Sequence, residues 1–263
     1  MRAIFRPYIL FLVVCGLCLS ASAIITGDNA TAETNPFDAT GLNWDYVYNY
    51  KDSSAVAVDP YWIVTAAHVA DDLLSSNLVV GSTTYTQQEI VYHSSADLAL
   101  VRYDQALPGY YDIYNGPLYV GDDVLMVGYG NTGTVSAVSY TDSGSGSGTP
   151  RWGNNEIDSA GWLDDTYVLV AGFSSSVTNN EAGVGVHDSG GGTFIDEDGV
   201  WKLVGINISR GPIDPPYNEN YMASVPGYEP WISETIPEPA VALQSLCVLV
   251  GFGIVSRYRR LCQ

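Results

Sequence analysis

The sequence contains little cysteine and little positive charge. Its four cysteines all lie in the terminal segments, at Cys15, Cys18, Cys247 and Cys262. The body of the chain, residues 24–236, therefore folds without disulfide bonds, and its stability must come from packing. Five of the ten Lys and Arg residues also lie near the termini, so five cations face nearly all of the 29 acids. A formal net charge of −19 argues against nucleic acid or an anionic membrane surface as a partner of the body.

Histidine is also scarce, with three residues at positions 68, 93 and 187. Ser189 stands between Asp188 and a run of three glycines, a pattern typical of a nucleophile on a tight turn, since glycine lets amide groups approach a bound carbonyl. A serine nucleophile needs a base, usually histidine. His68 ends the apolar run WIVTAAH, and Asp97 opens the alternation DLALVR. Singly, these segments also fit a core histidine, a strand-end aspartate and a flexible glycine-rich loop.

Together, the segments TAAH, DLALVR and HDSGGG resemble the three catalytic blocks of the trypsin-like (chymotrypsin-family) serine proteases. The resemblance implies an all-β fold of two six-stranded Greek-key β-barrels with a short C-terminal helix. It implies a serine endopeptidase that acts on protein or peptide substrates through an acyl-enzyme, with His68, Asp97 and Ser189 as the triad. The backbone amides of His187 and Ser189 would form the oxyanion hole, although the family normally has glycine at the first position. No cofactor or metal is implied.

Short β-rich runs alternate with turn residues along the body, as expected for a barrel or sandwich. With the resemblance, they predict a first barrel over about 24–123, a second over about 124–228 and a closing helix over about 227–236. The runs predicted as strands are 54–58, 61–65, 78–80, 89–92, 98–103, 124–130, 167–173, 192–195, 200–208 and 221–225. The Gly- and Ser-rich stretch 141–150 is interpreted as an exposed flexible loop within the second barrel.

Residues 1–23 are typical of a secretory signal peptide. Arg2 and Arg6 precede a short apolar core, and Ala21-Ser22-Ala23 is an A-x-A cleavage site. Cleavage there by signal peptidase would expose Ile24 of IITG, which is similar to the IVGG-type N-terminus of activated trypsin-like enzymes. The resemblance implies that the new ammonium of Ile24 pairs with Asp188, so that export itself activates the enzyme. The alternative is that Ile24 follows a cleavage site by chance.

The substrate pocket is predicted by the same resemblance. Gly183 stands where members with basic specificity carry an acid, and Glu219 could restore an acidic floor. Ser209-Arg210-Gly211 resembles the strand that pairs with the substrate backbone. Arg210 would replace the usual aromatic residue there, and would either crowd the pocket or favour acidic substrates.

The C-terminal segment, residues 237–263, carries a second pattern. Pro237-Glu238-Pro239 precedes an apolar run over about 240–256 and then the basic cluster RYRR. The pattern resembles the PEP-CTERM sorting tails of Gram-negative bacteria, which implies a transmembrane helix and an exosortase that acts on the tail. The alternative is a plain C-terminal anchor. We expect an exported protein that is membrane-anchored, or that reaches the cell surface or medium after the tail is removed.

Two other function classes remain open from the sequence. His187 at the oxyanion position favours a catalytically silent, trypsin-like surface binding module, whereas an intact His–Asp–Ser set favours the protease. The tail alone would fit a structural matrix protein. The acidic turn at 196–199 could bind a cation or simply be solvated.

Overall fold

The computed structural model describes residues 24–26, 41–145, 147–174 and 180–236. The predicted signal peptide and sorting tail lie outside the described residues. The strands are β1 Ile25–Thr26, β2 Val47–Tyr50, β3 Ser53–Asp59, β4 Trp62–Thr65, β5 Leu78–Val80, β6 Thr83–Tyr85, β7 Gln87–Tyr92, β8 Ala99–Tyr103, β9 Asp123–Gly128, β10 Gly133–Val135, β11 Tyr140–Asp142, β12 Arg151–Glu156, β13 Ser159–Leu163, β14 Thr166–Gly172, β15 Ala182–Gly183, β16 Gly192–Glu197, β17 Val200–Gly211 and β18 Glu219–Ser224. The α-helices are α1 Ala67–Ala70 and α2 Glu229–Thr235, and 3-10 turns cover Trp44–Tyr46 and Val225–Tyr228.

The first sheet is antiparallel, with the order β2-β3-β4-β8-β7. Its central strands are rich in Val and Ile, whose branched side chains favour the pleated sheet, and all four residues of β4 are buried. Thr65 at the end of β4 pairs with Ala99 at the start of β8. This register places the segments that follow β4 and precede β8 at one edge of the sheet, where His68 and Asp97 lie.

The second sheet has the order β12-β9-β16-β17-β18-β14-β13 and is also antiparallel. Met126, Val204 and Met222 are fully buried and belong to a core cluster of this half. A larger cluster spans both sheets, and in it Tyr111 contacts Phe194 with ring centroids 4.6 Å apart. The two sheets therefore share one continuous apolar interface, and the segments at its edge are held in fixed positions.

The fold is mostly β with a short C-terminal helix, as predicted. The strands divide differently from the predicted six and six, with five in one main sheet and seven in the other among the described residues. The β5–β6 hairpin stands apart from the first sheet, and the β13–β14 hairpin extends the second. β1 pairs with β15, Ile25 opposite Gly183, so the segment at Ile24 is attached to the second half of the chain.

The closing helix α2 follows the 3-10 turn directly and has proline near its start, where a missing amide is tolerated. Its Ile232 is buried against the main core cluster. Within the ranges described, no helix has both the length and the apolar character needed to span a membrane. The predicted transmembrane segment, about 240–256, lies outside those ranges.

Candidate active site

His68 and Asp97 form a hydrogen-bonded pair at the edge of the first sheet. Asp97 Oδ2 lies 2.7 Å from His68 Nδ1, and Asp97 Oδ1 accepts a 2.9 Å bond from the His68 amide. Half of the His68 side chain is exposed. Burial works to raise the pKa of Asp97, but its hydrogen bonds with His68 outweigh this effect and lower the pKa. The carboxylate therefore stays ionised and holds the ring with Nε2 free to accept a proton.

The other two histidines have different environments. His93 Nδ1 accepts hydrogen bonds from the amides of Ser95 and Ala96, and its ring packs edge-on against Tyr228 and Trp231. Burial lowers the pKa of His93, so this ring is a neutral packing element. Only His68, of the three, is paired with a carboxylate in the described part of the chain.

Ser189 lies on a turn that is bound to the first sheet. Its carbonyl accepts a 2.9 Å hydrogen bond from the Ser54 amide on β3. Gly190 follows with φ +83°, and a Cβ there would lie 1.9 Å from the Ser54 carbonyl oxygen and 2.2 Å from Thr65 Oγ1. Only glycine fits such a close approach. Because Thr65 precedes His68 by three residues, the turn places Ser189 at the same corner as the His68–Asp97 pair.

The Ser189 turn is hydrogen-bonded to β3, and His68 follows β4 of the same sheet. Among the hydrogen bonds of the described residues, none joins His68 Nε2 to Ser189 Oγ. Such bonds are often long in free enzymes and tighten only when substrate is bound. The structure pairs His68 with Asp97 and attaches the Ser189 turn to Ser54 and Thr65 of the same sheet.

The backbone at His187 adopts a conformation that most side chains avoid. His187 has φ +74°, in the left-handed region that glycine favours and that histidine tolerates better than most residues. The Val186 carbonyl accepts a 2.7 Å bond from the Asn131 amide. Within the described ranges, the amides of His187 and Ser189 donate to no protein acceptor. Two free donors on one turn can stabilise a developing negative charge.

Asp188 lies beneath this turn with no exposed surface. Its Oδ1 accepts bonds from the Gly130 amide at 2.8 Å and the Ile24 nitrogen at 3.4 Å, and its Oδ2 accepts from the Gly185 amide at 2.7 Å. Burial raises the pKa of Asp188 to about 7, although these three bonds act in the opposite direction. The structure thus places Ile24 against Asp188, as the N-terminal hypothesis requires.

Two glycines provide the space for that carboxylate. A Cβ on Gly128 would lie 2.2 Å from Asp188 Oδ1, and one on Gly130 would lie 2.5 Å from the Asp188 amide nitrogen. Neither glycine was recognised as functional from the sequence. The signal was present, since glycines two residues apart at the end of an apolar strand indicate a close approach of another chain segment.

The family comparison extends over most of the chain. The family model described as Trypsin matches residues 24–232. The chain belongs to the trypsin family. A comparison with curated proteins finds no match.

Solved structures with the trypsin-like fold agree with this family. A structure described as kallikrein-related peptidase 10 in complex with Zn²⁺ has 19% sequence identity and a TM-score of 0.51, and the match covers 70% of this chain and 89% of that one. The inactive form of Rv3671c from M. tuberculosis H37Rv has 20% identity and a TM-score of 0.52, and the match covers 83% and 98% of the two chains. At these identities the likeness establishes the fold alone.

Two of the residues predicted to form the substrate pocket, Gly183 and Arg210, are in contact with side chains from elsewhere in the protein. The ring of Tyr140 packs on Gly183, where a Cβ would lie 2.6 Å from it. Arg210 lies between Ser209 and Gly211 on β17 and donates to Asp142 Oδ2 at 3.0 Å. Neither Tyr140 nor Asp142 was recognised from the sequence, because both lie in or beside the stretch interpreted as a flexible loop.

Glu219 does not reach the pocket floor. It is exposed and accepts a short hydrogen bond from the Tyr221 hydroxyl, a bond that raises the pKa of Tyr221 to about 12. The neighbouring Asn220 is the buried residue, and its Oδ1 accepts from the Tyr140 hydroxyl at 2.7 Å and from the Val184 amide at 2.7 Å. The buried side chain at this point is therefore the neutral amide of Asn220, and not the acid that was predicted at the floor of the pocket.

Two further acidic regions lie near the surface. A cavity of about 500 Å³ adjoins Asp97 and is lined in part by Asp164, Asp165 and Ser209. In the 196–199 turn, Asp196 accepts from the Gly199 amide at 2.6 Å. Across the described ranges, no three His, Cys, Asp or Glu side chains converge as a metal site would require.

Proposed function

We propose that the chain is an exported serine endopeptidase that cleaves peptide bonds in protein or peptide substrates through an acyl-enzyme. Ser189 Oγ attacks the scissile carbonyl, and His68 Nε2 takes its proton and later passes the proton to the leaving amine. Asp97 holds the His68 tautomer and stabilises the charged ring. The amides of His187 and Ser189 stabilise the oxyanion.

The observation that carries this proposal is the short His68 Nδ1–Asp97 Oδ2 contact of 2.7 Å at the corner where the Ser189 turn is attached. A histidine oriented in this way presents Nε2 as a base, and the turn beside it presents a hydroxyl and two free amides. Those are the parts that acyl transfer by a serine needs. The glycine-like φ of His187 also weighs against the silent binding module, because the residue keeps the backbone conformation that glycine favours at this position.

The proposal includes activation by signal peptidase. Cleavage after Ala23 would convert the Ile24 amide, 3.4 Å from Asp188 Oδ1, into a cationic ammonium. A buried carboxylate that gains a cationic partner is stabilised in its ionised form, which fixes the turn bearing His187 and Ser189. Mass spectrometry of the exported protein tests this step. The proposal requires Ile24 as the N-terminus and fails if the active protein begins elsewhere.

The proposal places the protein at the membrane or cell surface through the tail. The apolar run 240–256 would anchor it, and an exosortase would act at Pro237-Glu238-Pro239. This part rests on the sequence alone. Deletion of residues 237–263 should release the protein into the medium of a strain in which the full chain stays cell-associated. Equal distribution of both forms would contradict it.

Hydrolysis of an unfolded protein tests the central activity. We expect the exported chain to degrade reduced, denatured casein, and Ser189→Ala to abolish the degradation while it remains folded by circular dichroism. Ser94→Ala, at an exposed serine beside the same site, is the matched control and should retain activity. If the wild-type chain is folded, begins at Ile24 and cleaves nothing, the binding-module alternative replaces the protease.

A further inference from the structure

We infer that Arg210 and Asp142 close the primary specificity pocket, and that they restrict the enzyme to small, uncharged side chains directly before the cleaved bond. This inference rests on the proposed function, since it names the substrate class of that same site. It goes beyond the family assignment because both residues and their contacts belong to this chain.

The pocket would lie between two backbone segments, and Arg210 joins them. One segment is the part of β17 at 209–211, and the other is the stretch 182–186 that leads to the Ser189 turn. From the first, the Arg210 guanidinium reaches the second and donates from Nη1 to the Val184 carbonyl at 3.3 Å. The same nitrogen donates to Asp142 Oδ2 at 3.0 Å. The guanidinium therefore bridges the two segments.

Asp142 holds the guanidinium from a fixed position. Its carboxylate accepts from the amides of Val186 and Gly144, each at 2.6 Å, and from Asn131 Nδ2 at 3.1 Å. Burial works to raise the pKa of Asp142, but these bonds and Arg210 lower it, so the group stays charged. The exposed fractions of the Arg210 and Asp142 side chains are 16% and 9%. An ion pair shielded in this way is strongly destabilised when one partner is displaced.

Aromatic rings fill the space beneath the pair. Tyr217 stacks under the guanidinium, with the Arg210 Cζ 4.0 Å from its centroid, and its hydroxyl accepts from Nη2 at 3.3 Å. Tyr140 is 1% exposed and packs against Gly183, with its hydroxyl bonded to Asn220. β11 connects the two segments, because Asp142 accepts from the Arg210 guanidinium of the first and from the Val186 amide of the second.

A large substrate side chain has no room in this arrangement. To enter, it would have to displace a guanidinium that already has a carboxylate, a carbonyl and an aromatic ring as partners. Glycine, alanine or serine would need only the backbone contacts of β17. An acidic side chain would have to compete with Asp142 for Arg210, and Asp142 is held by three other donors.

Hydrolysis of matched peptides tests the inference on the exported full chain. The peptides share one sequence and differ only in the residue before the cleaved bond, which is Gly, Ala, Leu, Phe, Lys or Glu. The wild type should show the highest kcat/KM for Ala or Gly, by about tenfold or more over Leu, as pockets discriminate added methylenes. Arg210→Ala should raise the Leu-to-Ala ratio at least tenfold, and Asp142→Asn should raise it in the same direction by releasing the guanidinium.

Arg102→Ala is the matched control, because Arg102 pairs with Glu89 in an exposed ion pair on the first sheet and should leave the ratio unchanged. A wild type that prefers Leu, Phe, Lys or Glu would overturn the inference without any variant. So would unchanged ratios in both folded pocket variants. Labelling of Ser189 by a fluorophosphonate separates the two failures. A labelled wild type with the wrong preference overturns this inference alone, and an unlabelled wild type overturns the proposed function and this inference with it.

Discussion

The backbone nitrogen of Ile24 lies 3.4 Å from Asp188 Oδ1, in a site where the carboxylate has no contact with solvent. While Ile24 is preceded by another residue, that nitrogen is a neutral amide, and burial raises the pKa of Asp188 to about 7. Once Ile24 is the first residue, the nitrogen carries a charge that favours the carboxylate. The electrostatics under the Ser189 turn therefore depend on where the chain is cut.

The first prediction concerns pH. In a form that retains Ala23, the pKa of Asp188 is raised to about 7 in the folded protein. The protonated carboxyl therefore adds fully to the free energy of unfolding below about pH 4, and this contribution is lost as the pH rises through about 7. In the form that begins at Ile24, the ammonium lowers the pKa of Asp188. Most of the decrease in unfolding free energy with rising pH should therefore disappear. Urea unfolding between pH 5 and pH 8 should show a difference between the two forms on the order of a few kcal/mol at pH 8.

Asp188→Asn in the form that retains Ala23 is the control for this prediction, because it removes the titrating carboxyl where the Ile24 nitrogen is a neutral amide. This variant should lose the part of the pH dependence that comes from Asp188. Parallel profiles for the two wild-type forms would mean that the Ile24 nitrogen and Asp188 are not coupled.

The second prediction concerns the space that holds Asp188. In Gly130→Ala, the new Cβ would lie 2.5 Å from the Asp188 amide nitrogen, a backbone atom with little freedom to move. We expect a loss of about 1–3 kcal/mol in unfolding free energy, as overpacking typically costs, together with slower acylation of Ser189. Gly161→Ala is the matched control, since a Cβ there meets nothing within 4 Å. Equal unfolding free energies of the two variants, measured by urea titration, would contradict the close packing of Gly130 against Asp188.

The third prediction concerns His187, which has φ +74°. His187→Gly should stabilise the fold by about 1 kcal/mol, because glycine adopts this backbone conformation without steric strain. It should leave acylation of Ser189 intact, since the amide rather than the imidazole acts there. Asp198→Gly, at φ +56° on an exposed turn, should stabilise similarly. If His187→Gly abolishes acylation while Asp198→Gly does not, the imidazole itself has a catalytic role.

The fourth prediction concerns the His68–Asp97 pair. Asp97→Asn keeps the shape of the side chain but removes the charge that holds the His68 tautomer, so kcat should fall by about 10⁴-fold, as for this kind of triad. Asp164→Asn, at an exposed acid lining the adjacent cavity, should change kcat less than about twofold. Peptide hydrolysis at pH 7–9 measures both. A small effect of Asp97→Asn would contradict the role of Asp97 in holding and charging the His68 ring.

The sequence predicted the parts of the fold that depend on apolar patterning. The runs around β3, β4, β8, β9, β16 and β17 were predicted within a few residues of their observed bounds, because Val- and Ile-rich segments form strands in many contexts. The family resemblance supplied the arrangement of these strands, which patterning alone does not determine.

The strands that depend on distant partners were missed. β11 begins at Tyr140 and ends at Asp142, at the start of the stretch interpreted as a flexible loop. β11 is held in place by contacts with Tyr217, Val186 and Arg210, which lie 44 to 77 residues further along the chain. No local pattern reports such pairings. Gly128 and Gly130 do indicate a close approach of another chain segment, but the sequence does not identify that segment as the one carrying Asp188.

Labelling with a fluorophosphonate tests the central claim most directly, because it reports an activated serine without any assumption about substrate. The exported chain beginning at Ile24 would be treated with the probe, digested and mapped by mass spectrometry. A single adduct on Ser189, absent from Ser189→Ala and strongly reduced in His68→Ala, is the predicted result. A folded chain that carries no adduct on Ser189 would contradict the assignment of His68, Asp97 and Ser189 as a working triad.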